Sequence, residues 1–125
     1  MSVLEVVLLC LAGGVGASLR FVVDGIVRRH TSGSFPLGTM IINVSGSLVL
    51  GLIVGLVSAS VLTHGWQLVL GTGLMGGYTT FSTASLETVR LVEDRRRLAA
   101  AVNGIGMLVI AVAAAAGGYA LGRLL

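Results

Sequence analysis

The chain contains no lysine, and only 10% of its 125 residues are charged. All eight basic residues are arginines, against five acidic ones, for a net charge of +3. The single cysteine, Cys10, lies in an apolar run. One thiol excludes an intrachain disulfide framework and reads as a buried, inert group. His30 and His64 are isolated, and with Cys10 they give no metal-ligand spacing. No nucleophile, base and orienting group fall together, so nothing points to an enzyme. Residues 71–76, GTGLMG, fit the dinucleotide pattern GxGxxG literally. That site needs a preceding strand and a βαβ unit, whereas the flanks here are apolar enough for membrane helix.

What the chain has in quantity is apolar surface: 55% hydrophobic residues and a mean hydropathy of +1.02. Those values belong to polytopic membrane proteins. One unit, residues 1–125, is expected, with no second domain and no repeat at a fixed period. A pI near 10.0 would suggest nucleic acid in a soluble protein. Here the arginines gather at the ends of apolar segments, so topology control and lipid headgroups explain them, and no nucleic acid is expected.

A helix needs about 20 apolar residues to cross the hydrocarbon core. Four stretches qualify: Val3 to Val27, Leu37 to Leu62, Trp66 to Val89, and Leu98 to Leu124. The first has no basic leader and overruns a normal signal core, so it is expected to stay as a span. Polar connections separate them, with Arg28 to Ser34 first, Thr63 to Gly65 second and Arg90 to Arg97 third. Ser47, Gly51 and Gly55 share one face of the second span, and Ala114, Gly118 and Gly122 one face of the fourth. Small residues at that spacing let helix backbones approach closely. Nineteen glycines imply dense packing, and four thin helices enclose little, so oligomerisation is expected.

With four spans, both termini lie on one side. The first and third connections, on the other, carry Arg28, Arg29, Arg90, Arg95, Arg96 and Arg97, against Arg123 alone on the terminal side. The positive-inside rule then places both connections in the cytoplasm and both termini outside. A chain that inserts in both orientations should show almost no such bias.

Polar residues inside the spans are the candidates for function. GTGLMGGYTTFSTASLE, residues 71–87, packs Gly, Thr and Ser so densely that a plain helix would be hard to maintain. Freed backbone at membrane depth is tolerated where it lines a cavity. Asn43, with Ser47 four residues on, is open to two roles: an interhelical hydrogen bond, or donation to an anion in a pore. Arg20 lies inside the first span, where anion attraction, anchoring and an ion pair with Asp24 at i+4 are all open. Thr79, Thr80, Ser82, Thr83 and Ser85 crowd around Phe81, whose ring edge is electropositive. Their hydroxyls suit an anion, while carbonyls freed by a helix break would suit a cation. Glu87 closes the stretch, with helix-end solvation or a pair with Arg90 as its simple roles.

GGVGASLR (Gly13 to Arg20), GTMIINVSGS (Gly38 to Ser47) and GLMGGYTTFST (Gly73 to Thr83) together resemble the signatures of the Fluc/CrcB fluoride channels. The match covers essentially the whole chain in the family's order. The resemblance implies an all-α integral membrane fold of four transmembrane helices, the third broken near its middle, in an antiparallel dual-pore dimer. It implies a passive, fluoride-selective channel of the cell (inner) membrane, which exports cytoplasmic fluoride and gives fluoride resistance. On the same ground Asn43 is the pore amide and Phe81 the first pore phenylalanine. Ser82 and Thr83 join the polar track, Glu87 stands near its end, and Arg20 matches the family's first-helix arginine. The carbonyls of Gly76 and Thr79 would hold a structural Na+ at the dimer interface. Two positions depart from the pattern: Ala84 stands where a second pore phenylalanine is usual, and Asn103 where a tyrosine is common. With the arginine bias, this favours a heterodimer with an oppositely oriented, different subunit over a homodimer. The alternatives are a small proton-coupled multidrug exporter, which would need a membrane-embedded carboxylate, and a non-conducting assembly subunit.

Overall fold

The computed structural model describes residues 1–33 and 35–125; Ser34, counted above in the first connection, lies outside them. The described residues are helical apart from short connections. The first helix, α1, runs Val3–His30. It starts at a capping box: Ser2 Oγ accepts from the Glu5 amide at 3.1 Å, and the Glu5 carboxylate accepts from the Ser2 amide at 2.9 Å. Such a cap stabilises a helix start by about 1 kcal/mol. The helix passes the expected end at Val27 because its last turn satisfies itself. The Thr31 hydroxyl donates to the Val27 carbonyl at 2.8 Å, and Arg28, Arg29 and His30 sit at the negative end of the helix dipole.

The second helix, α2, is Leu37–Ser58, four residues short of the expected Leu62. The Ser60 amide bonds the Val57 carbonyl at 3.0 Å and the Val61 amide bonds that of Leu56 at 2.9 Å. With Ser60 at φ 62°, this is a Schellman stop, which terminates the helix before its hydrophobic run ends.

Residues 64–78 form α3, in which π-helical turns at Gln67–Met75 lie between single α-helical turns. Residues 79–81 are not helical, and Thr79 is extended at φ −79°, ψ 161°. The next helix, α4, is Ser82–Glu93 and ends on a second Schellman stop with Arg95 at φ 58°. Arg97–Leu124 forms α5, with a π-helical turn at Val102–Gly106.

Three helices, α1, α2 and α5, are long and apolar enough to cross a membrane, with mean hydropathies of 2.1, 2.3 and 2.2. The stretch expected to be a third, broken span is split between α3 and α4, each too short alone to cross. Most of the apolar surface of α1 and α5 faces outward, which suits a hydrocarbon solvent.

Glycines set the helix pairing. A Cβ at Gly51 or Gly55 of α2 would overlap the backbone of Ala115 or Tyr119, and one at Gly118 or Gly122 of α5 would overlap Leu48 or Leu52. The small-residue stripes thus meet each other, as their spacing suggests. Likewise Gly16 of α1 lies against Leu74 of α3, and Gly77 of α3 against Gly13 of α1. Besides its pairing with α5, α2 touches α1, α3 and α4.

Candidate functional site

The non-helical residues 79–81 are stabilised from α2. The Asn43 side chain reaches across, donating from Nδ2 to the Thr80 carbonyl at 2.8 Å and accepting at Oδ1 from the Thr80 amide at 2.8 Å. Its second amide hydrogen faces Met107 Sδ at 3.3 Å, a weak acceptor. Thr80 is 9% exposed, so both of its backbone groups would otherwise be buried unpaired. The Thr80 hydroxyl accepts from the Thr83 amide at 3.2 Å and so caps the start of α4. Among the described residues, no hydrogen bond ends on the carbonyls of Gly76, Gly77, Tyr78 or Thr79. These are the acceptors that the end of α3 leaves over.

Beside this break lies a cleft of about 540 Å³, lined by Asn43, Ser47, Thr79, Thr80, Phe81, Ala84, Ser85, Thr88, Asn103 and Met107 among others. Although Phe81 lines this cleft, its side chain is 87% exposed. Asn103 is fully buried. Its Nδ2 donates to Thr88 Oγ1 at 2.9 Å and approaches the Ala84 carbonyl at 3.4 Å, while its Oδ1 has no partner among the described residues. Ala84 and Asn103 therefore adjoin.

The other expected residues are distributed differently. Arg20 and Thr83 line a separate 220 Å³ pocket with Thr39 and Thr80, on the α1 side of the break. Glu87 lines a third cavity, of 420 Å³, with Asp24, Arg28, Arg90 and Asp94. Ser82 is exposed, with its hydroxyl 3.4 Å from that of Thr80. The Arg20–Asp24 pair, one of the roles left open for Arg20, does not form, because Asp24 takes Arg28 at 3.0 Å, one turn nearer the helix end. Glu87 likewise engages the Thr39 hydroxyl from α2 at 2.5 Å, and no ion pair with Arg90 is found among the described residues. Thr39 escaped the sequence reading, although its place four residues before Asn43 puts it on the same helix face. Thr88 and Met107 escaped it too; only the packing of α4 against α5 brings them to the cleft.

Apolar crossing helices, a broken segment stitched by one amide, and a cleft whose hydroxyl and amide groups are set in a mostly apolar wall together define a multi-pass membrane protein. The family model described as CrcB-like protein, Camphor Resistance (CrcB), matches residues 7–119, and the chain belongs to that family. It is 50% identical over 124 residues to fluoride-specific ion channel FluC 1 of Leifsonia xyli, covering 99% of this chain and 90% of that one. It is 48% identical over 114 residues to fluoride-specific ion channel FluC 2 of Mycolicibacterium paratuberculosis, covering 91% and 90%. A third relative, fluoride-specific ion channel FluC 2 of Cutibacterium acnes, is 47% identical over 118 residues, covering 90% and 93%. The family is one of ion channels and not of enzymes.

Proposed function

We propose that the chain is a subunit of a passive fluoride-selective channel that exports cytoplasmic fluoride and so gives fluoride resistance. The Asn43 amide carries this reading. Two of its groups hold Thr80, and the remaining N–H rests on a thioether sulfur. An anion takes that N–H far better than sulfur does, because hydrogen bonds to charged acceptors are about twice as strong as neutral ones. Ser47 lines the same cleft and adds a hydroxyl donor, and the Phe81 ring edge adds a weak positive field. Ser82 and Thr83 extend the track along α4 toward Glu87. Arg20 attracts the anion from the α1 side of the break.

In this reading α3, the break and α4 together make the third of four crossings, with its irregular backbone facing a cavity. The open carbonyls at the end of α3 are oxygen donors of the kind a hard cation takes. The Gly76 and Thr79 carbonyls would hold a structural Na+, which supplies fixed positive charge beside the path. The Phe81 ring is left largely exposed by its own chain, so a second subunit in the opposite orientation completes each pore. The six-to-one arginine bias and Ala84 favour a different chain as that partner, in the inner membrane with this chain's termini outside. Against a multidrug exporter, Glu5 caps the start of α1 and Asp24 pairs with Arg28 near its other end, and neither carboxylate lines the cleft.

The test is fluoride efflux from liposomes containing this chain alone and with a candidate partner. Efflux is expected only for the pair, and brisk efflux from the chain alone would sink the heterodimer. If the partner conducts equally well without it, this chain is an assembly subunit.

A further inference from the structure

A second groove adjoins the cleft and shares Thr88, Gly104 and Leu108 with it. It is an open groove of about 400 Å³ between Thr88 and Val92 of α4 and Arg97, Ala101, Gly104 and Leu108 of α5. The α5 positions recur at intervals of three or four and so share one face. Ala101 and Gly104 keep the floor open, and the Thr88 hydroxyl is turned to the Ala84 carbonyl at 2.8 Å. Arg97 is the one charged residue on the lining. It is the first residue of α5, directly after Arg95 and Arg96.

We propose that this groove seats one acyl chain of an anionic phospholipid, with the lipid phosphate on Arg97. Length argues for a lipid tail over a partner helix. From Arg97 to Leu108 the groove follows α5 for about 16 Å at 1.5 Å per residue. That is about half of the ~30 Å hydrocarbon core. A tail occupies one leaflet, whereas a crossing helix spans both. Charge argues for an anionic headgroup. The arginine run stands at the polar boundary, where each basic residue favours an anionic lipid about five-fold. The Schellman stop at Arg95 fixes where that run begins relative to α4. The inference stands on the chain's place in a membrane and does not depend on which ion it conducts.

The experiment is native mass spectrometry of the detergent-purified full chain, offered phosphatidylglycerol or phosphatidylcholine with identical tails. Phosphatidylglycerol should be retained in preference. Arg97→Gln should cut that retention about five-fold and leave phosphatidylcholine unchanged, while Arg97→Lys should keep the preference. Ala101→Phe, which fills the groove from an exposed position, should lower retention of both lipids. Equal retention of the two lipids by the unaltered chain would overturn the proposal, as would indifference to Arg97→Gln and Ala101→Phe together. So would cross-linking of Ala101→Cys, in a Cys10→Ser background, to a second copy in liposomes, because the groove would then be a subunit contact.

Discussion

Replacing Asn43 by alanine should damage both the fold and the ion path, and the two effects can be separated. The substitution deletes two 2.8 Å hydrogen bonds and leaves the amide and carbonyl of Thr80, a residue 9% exposed, without partners. Each orphaned buried group costs about 1–3 kcal/mol, so the chain should lose about 2–6 kcal/mol of stability. If Asn43 also donates to fluoride, losing a hydrogen bond to a charged acceptor removes about 1.5–3 kcal/mol more from the permeating state. Efflux should then fall by about ten- to a hundred-fold. Met107→Leu supplies the control. It leaves both Thr80 bonds in place and removes only the sulfur that engages the second N–H. Its unfolding should stay within about 1.5 kcal/mol of the original, while its efflux changes. Unfolding in detergent and fluoride-electrode efflux from liposomes, each run on the intact channel, give the two readouts. An Asn43→Ala chain with unaltered stability would refute the account of the break. Altered stability with unaltered efflux would refute the pore role alone.

Phe81→Ala should leave the helical content and unfolding of the isolated chain unchanged, because the ring is 87% exposed there. Efflux through the assembled channel should fall by up to about ten-fold if the ring edge contributes about 0.5–1.5 kcal/mol. Gly118→Val should disrupt the α2–α5 pairing, since even a Cβ overlaps the Leu48 backbone. Overpacking costs about 1–3 kcal/mol or more, to be read as a lower unfolding midpoint and poorer yield. Ser60→Gly should stabilise by about 1 kcal/mol, because a left-handed residue with a side chain is strained. A midpoint that fails to rise would show the strain to be relieved locally.

The hydrophobic runs announce α1, α2 and α5 and place their first residues to within one, because crossing a membrane requires a length and composition that any window of sequence displays. The glycine stripes of α2 and α5 were also legible, since fourfold spacing is a property of one helix. Helix ends were less so. Leu62 is as apolar as its neighbours, and only the hydrogen bonds around Ser60 explain why α2 stops at Ser58. Asp24 lies four residues from both Arg20 and Arg28, so spacing could not choose between them. The choice of Arg28 was visible only once α1 was seen to continue to His30.

The order of residues alone determined that this is an apolar, helical, multi-pass chain with a polar interruption between Gly71 and Glu87. Those are local properties, written in composition and period. Tertiary structure decided what the interruption does. It placed the break at residues 79–81, brought Asn43 to Thr80 across 37 positions and Thr39 to Glu87 across 48, and turned Phe81 outward. A hydrogen bond between distant residues depends on which helices pack together, and that is settled by the close approach of glycine-bearing faces, which no single stretch of the chain records.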